Sequence, residues 1–143
     1  MKALGKLEEA EISLKKAINI KPDFGIAHYN LGNTLIDLGR LKEAEISIRK
    51  AIQYNPDFAQ AHSNLGNILR DLGKLEEAAI SIHKAIKLKP DYANAYVNLG
   101  NIFRELRELK EAEKSYLKAI EINPNYAEAY SNMGGIYRYL GKL

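Results

Sequence analysis

The chain has no cysteine. It therefore has neither a disulfide frame nor a thiol that could serve as nucleophile or metal ligand. No apolar run approaches the ~20 residues that a membrane-spanning helix needs, and the N-terminus lacks the apolar core of a secretory signal. The expectation is a cytoplasmic protein with no membrane partner. Charge is balanced: 21 Lys and Arg against 18 Asp and Glu give a net +3, spread without a basic block. A nucleic-acid partner is not expected from such a distribution. No nucleophile–base set, phosphate loop or metal-ligand spacing occurs. The three histidines, His28, His62 and His83, show no such spacing. The chain reads as non-catalytic, without cofactor or metal.

Proline is scarce but regular. Pro22, Pro56, Pro90 and Pro124 fall 34 residues apart, within K-P-D-F, N-P-D-F, K-P-D-Y and N-P-N-Y. Between them recur Asn30-Leu-Gly-Asn33, Asn64-Leu-Gly-Asn67 and Asn98-Leu-Gly-Asn101. Glu43-Ala44, Glu77-Ala78 and Glu111-Ala112 follow, then Lys-Ala-Ile at Lys50, Lys84 and Lys118. A fixed period of this length marks one supersecondary unit copied along an axis, each copy burying its apolar face against a neighbour.

Within a unit the apolar residues keep a helical period. Ala27, His28, Leu31, Leu35 and Leu38 share one helix face, and Leu41, Ala44, Ile48, Ala51 and Ile52 share one face of a second helix. Alanine at two of those positions allows close helix approach. Glycine recurs between the two helices at Gly5, Gly39, Gly73 and Gly141, where a left-handed backbone suits the turn, but Arg107 takes its place in the third full copy. Local strain or a reshaped turn is expected there. Asp57 with Gln60, and Asn125 with Glu128, read as capping boxes.

This pattern resembles the tetratricopeptide repeat, a helix-turn-helix unit of 34 residues. With Gly25, Ala59, Ala93 and Ala127 as position 1, the small residue at position 8 is Gly32, Gly66, Gly100 and Gly134. The alanines of positions 20 and 27 and the proline of position 32 also match. Position 4, an aromatic in the family, is His28, His62, Tyr96 and Tyr130, so these histidines read as packing residues. The resemblance implies an all-α fold, a right-handed α-solenoid superhelix of antiparallel helix pairs. It divides 1–143 into a partial repeat 1–24, repeats 25–58, 59–92 and 93–126, and a partial repeat 127–143. With half a repeat at each end, the chain is expected to be a segment of a longer protein. Head-to-tail self-association through the open halves is a further expectation.

In this family the first helix of each pair lines the concave surface. Its polar stripe then forms ladders: Asn30, Asn64, Asn98 and Asn132 at position 6, and Asn33, Asn67 and Asn101 at position 9, where Gly135 breaks the row. A side-chain amide both donates and accepts, which suits the backbone of an extended peptide. Such a ladder is similar to that in the repeat arm of O-linked N-acetylglucosamine transferases. The expected function is a scaffold binding an extended peptide or protein segment. The alternative is a substrate-presenting arm of a larger enzyme such as a glycosyltransferase.

The carboxylate clamp of chaperone-binding relatives needs three cations that are missing from both available registers. These are Tyr29, Asn33, Asn64, Asn94 and Asn98, then Ser63, Asn67, Asn98, Glu128 and Asn132. Arg70, Arg104 and Arg138 add a row at position 12, expected to be solvated and partly self-paired with neighbouring acids such as Asp71 and Glu105, with a site for acidic side chains or phosphates as the alternative. Tyr29 and Ile36 offer a small exposed apolar anchor. On the opposite surface Ile12, Ile46 and Ile80 form a row, expected to be partly shielded by long neighbours such as Lys50, with a self-association patch as the alternative.

Overall fold

The computed structural model describes residues 2–142. Eight helices follow one another: α1 (Lys2–Ile20), α2 (Gly25–Asp37), α3 (Leu41–Tyr54), α4 (Ala59–Asp71), α5 (Leu75–Leu88), α6 (Ala93–Glu105), α7 (Leu109–Ile122) and α8 (Ala127–Gly141). There is no strand among the described residues. Each helix packs on its chain neighbours, most closely within the pairs α2–α3, α4–α5 and α6–α7. Beyond these, α4 also reaches α6, whereas successive second helices make no comparable contact. Side-chain hydrogen bonds also join α4 to α2 (Asn64 to Asn33) and α8 to α6 (Asn132 to Asn101), so the first helices line one common surface, the inner one. No helix among the described residues is long and apolar enough to cross a membrane.

The close pairing rests on glycine. A Cβ at Gly32 would come within 2.5 Å of Ile48 Cδ1, and one at Gly100 within 2.5 Å of Tyr116 Cε1. Gly66 stands in the same relation to Ile82. These knobs are fully buried, as are Ala44, Ala51, Ala78, Ala85, Ala112 and Ala119. The expected apolar faces are therefore the core. His28 and His62 are buried, and the Nε2 of each lies 2.8 and 2.9 Å from the carbonyl oxygens of Pro22 and Pro56. They tie the first helix to the preceding turn.

The turn within each pair keeps one geometry. Arg40 N–H donates to Leu35 O and Glu108 N–H to Phe103 O, the six-to-one bond that closes a helix through a left-handed residue. That residue is Gly39 (φ 76°), Gly73 (φ 80°) and Arg107 (φ 66°). Of the two expectations for Arg107, strain without reshaping is the outcome.

Three expectations change. The capping boxes do not form: the helix N-caps are Phe24, Phe58, Tyr92 and Tyr126, with no side-chain cap bond. At α4 the Phe58 ring packs against Tyr29, centroids 4.5 Å apart, which holds that register. The glycine turns also fail to form at both ends. Gly5 lies inside α1 and Gly141 ends α8. Finally, Ile12, Ile46 and Ile80 are 69%, 63% and 70% exposed. Long neighbours such as Lys50 thus leave them largely uncovered.

Candidate functional site

The inner surface carries the asparagines of α2, α4, α6 and α8, because positions 6 and 9 lie opposite the apolar face of each first helix. Asn64 donates from Nδ2 to Asn33 Oδ1 at 2.7 Å, and the phenolic oxygen of Tyr29 lies 3.3 Å from the same nitrogen. Asn132 Nδ2 donates to Asn101 Oδ1 at 3.1 Å. Position 9 of one repeat thus accepts from position 6 of the next. The middle link is missing. Asn98 donates to Asn94 Oδ1 at 3.1 Å, and the Oδ1 of Asn67 is buried with no partner.

The two rows differ in depth. Asn30 is exposed, and Asn64, Asn98 and Asn132 are half-buried. Asn101 is buried, and its Oδ1 also accepts from Tyr116 Oη at 2.5 Å. Burial pushes the Tyr116 phenol above its ordinary pKa, so it remains a donor. Tyr116 escaped the sequence reading. The signal was its replacement of isoleucine at the position of Ile48 and Ile82. Tyr126 was also missed. Its hydroxyl accepts from Asn94 Nδ2 at 2.9 Å, extending the polar surface toward the repeat boundary.

Tyr29 and Ile36 are only partly exposed and pack against the core, so they do not form a free apolar anchor. The arginine row divides. Arg70 Nε pairs with Glu105 Oε1 of the next repeat at 3.1 Å. Arg104 and Arg138 have no ion pair among the described residues. A separate ion-pair cluster braces the first junction, where Arg40 meets Glu11 at 2.7 Å and Glu43 at 2.6 Å. Hydrogen bonds from Arg40 and Lys15 hold the Glu11 carboxyl down to about 2. Among the described residues no group of three His, Asp or Glu side chains is placed to hold a metal ion.

A tetratricopeptide repeat family model matches residues 25–58 and 93–126. A second TPR repeat model matches 2–39 and 66–106, more than half of the chain, and a third matches 48–79 and 115–143. No curated protein matches the chain. Among solved structures it is similar to MamA, with 28% identity and a TM-score of 0.91 over 98% of this chain and 82% of that one. The first TPR of Spaghetti (RPAP3), bound to the HSP90 peptide SRMEEVD, is 26% identical with a TM-score of 0.79, over 82% of this chain and 93% of that one. PilF of Pseudomonas aeruginosa, 24% identical over 96% of this chain and 63% of that one, shares the fold with a TM-score of 0.87. The family matches, the paired helices and the glycine–knob contacts agree: the chain belongs to the tetratricopeptide repeat family.

Proposed function

We propose that the protein is a non-catalytic scaffold that binds an extended peptide or protein segment along its inner surface. Asn30, Asn64, Asn98 and Asn132 contact the segment's backbone. Asn33 and Asn101 lie behind and hold Asn64 and Asn132, and Tyr29, Asn67 and Arg70 flank the row. The observation that carries this reading is the cross-repeat bonding of position 6 to position 9. The two links that form leave Asn64 Oδ1 and Asn132 Oδ1, two repeats apart, without a partner among the described residues. A backbone N–H can use such an acceptor.

The RPAP3 neighbour, bound to the acidic peptide SRMEEVD, supports a peptide ligand in general. The first-register positions here are Tyr29, Asn33, Asn64, Asn94 and Asn98, with no cation among them. The segment is therefore recognised mainly through its backbone, not through a charged tail. The test is an NMR titration with a peptide selected from a random library of unstructured peptides. The side-chain amides of Asn64 and Asn98 shift. Shifts confined to the convex Ile46 and Ile80 methyls would refute the reading.

Head-to-tail self-association is a second reading, favoured by one observation. A Cβ at Gly134 meets nothing within 4 Å, while Tyr130 and Tyr137 on the same face of α8 are half exposed. In α1, Ala10, Leu14 and Ala17 are only partly covered, although their equivalents elsewhere are fully buried. One copy's α1 supplies the knob that α8 of another lacks. Gly134→Arg, which disturbs no contact within the chain, should abolish concentration-dependent assembly in sedimentation. Assembly that persists in this variant, or a wild-type chain that stays monomeric, contradicts the reading.

A further inference from the structure

The repeat breaks its own pattern at three places along the third and fourth units, and all three line one cavity. Arg107 stands where Gly39 and Gly73 stand, Gly135 where Asn33, Asn67 and Asn101 stand, and Tyr139 where Asp37, Asp71 and Glu105 stand. With Arg104, Leu109 and Ile136 they enclose a space of about 130 Å³ between α6, the α6–α7 turn and α8.

The charge in this cavity is unbalanced, and the repeat register shows why. One unit earlier, Arg70 is neutralised by Glu105 at 3.1 Å. The residue in the same relation to Arg104 is Tyr139, a phenol in place of the carboxylate. Arg104 and Arg107 engage in no ion pair among the described residues, and no carboxylate lines the cavity. Glu105, next in sequence to Arg104, is already held by Arg70. Gly135 removes the side chain that would occupy the opening, and nothing lies within 4 Å of its Cβ direction. Arg107 also holds a left-handed backbone, φ 66°, which disfavours every residue with a side chain except, in part, Asn and Asp. A glycine there would relieve that backbone strain.

We infer that Arg104, Arg107 and Tyr139 form a binding site for a phosphate monoester carried by the segment that lies along the inner surface. Two guanidinium groups with no acid match the charge of a phosphate dianion more closely than that of a single carboxylate. A phenol adds a third donor. The space suits one tetrahedral group. The site opens at the edge of the asparagine rows, so this inference rests on the peptide-binding reading for the source of the phosphate, but not for the pocket itself.

The test titrates inorganic phosphate into the full chain and follows the Nε–H signals of Arg104 and Arg107 and the amide of Gly135 by NMR. Saturable shifts are expected at these three places. Arg104→Gln weakens binding about tenfold or more, the loss of one charge-assisted pair. Tyr139→Glu rebuilds the neutralised arrangement of Arg70 and abolishes binding. Arg107→Gly is the most telling variant: it weakens phosphate binding while raising the thermal midpoint by about 2–8 °C. Wild-type affinity in Arg107→Gly, or the absence of saturable shifts in the parent chain, overturns the pocket. The Asn64→Ala/Asn98→Ala pair retains phosphate binding within about twofold, since neither residue lines the cavity. Failure of the asparagine rows thus stays distinguishable from failure of the pocket. A selected peptide carrying one phosphoserine then binds at least about tenfold tighter than its unmodified form. Equal affinities would overturn the assignment of the phosphate to the bound segment.

Discussion

Asn67 and Asn98 are the one neighbouring pair of the cross-repeat series that share no hydrogen bond. Asn98 gives its amide to Asn94 at 3.1 Å, and the Oδ1 of Asn67 is left buried and unpaired. A buried acceptor without a donor costs about 1–3 kcal/mol. Asn67→Ala removes that acceptor and also favours the helix, so its stability should equal or exceed that of the parent. Asn101→Ala should do the opposite. It strips the Tyr116 hydroxyl of its acceptor in a fully buried place and costs about 1–3 kcal/mol. Urea unfolding of the two variants side by side checks the contrast.

Glycine at position 8 has opposite consequences in the interior and in the last helix. Gly66→Ala forces a methyl against Ile82, with a loss of about 1–3 kcal/mol. Gly134→Ala meets nothing and gains about 1 kcal/mol from helix propensity alone. Thermal unfolding followed by circular dichroism should move in opposite directions for the two.

The ion pairs at the first junction set a pH dependence with a definite sign. The Glu11 carboxyl is depressed from its ordinary 4.5 to about 2 by hydrogen bonds from Arg40 and Lys15. A depressed carboxyl contributes stability that is fully present above its unfolded value and is lost as pH falls through its folded value. The protein should therefore lose stability between about pH 4.5 and pH 2. Glu11→Gln should flatten that part of the profile and lower stability at neutral pH. Thermal midpoints measured across this window for both proteins decide the matter.

Much of this was readable in advance, for reasons that differ by residue. The alanine faces and the packing role of His28 and His62 follow from spacing along single helices, which sequence displays directly. The knobs that fill the space beside the position-8 glycines, Tyr116 among them, emerge only from the packing of one helix on the next. The left-handed place of Arg107 followed from the register of Gly39 and Gly73. The helix caps did not, because the choice between Asp57 and Phe58 is decided by a ring packing on Tyr29 of α2, far from it along the chain. Cross-repeat partners were equally hidden. Asp71 adjoins Arg70 in sequence, yet the acid that neutralises it is Glu105, 35 residues on. The offset between stacked helices, not spacing within one, sets that pairing. The broken link at Asn67 has the same origin: Asn94 lies one turn before Asn98 on α6 and competes for its amide.

The central claim is that the asparagine rows hold the backbone of an extended segment. Its most direct test is the calorimetric affinity of one library-selected, unphosphorylated peptide for the parent chain and for Asn64→Ala/Asn98→Ala. Loss of two hydrogen-bonding side chains, each worth about 0.5–1.5 kcal/mol, predicts a five- to roughly 150-fold weaker complex. An unchanged affinity in a variant that is still folded would contradict the account.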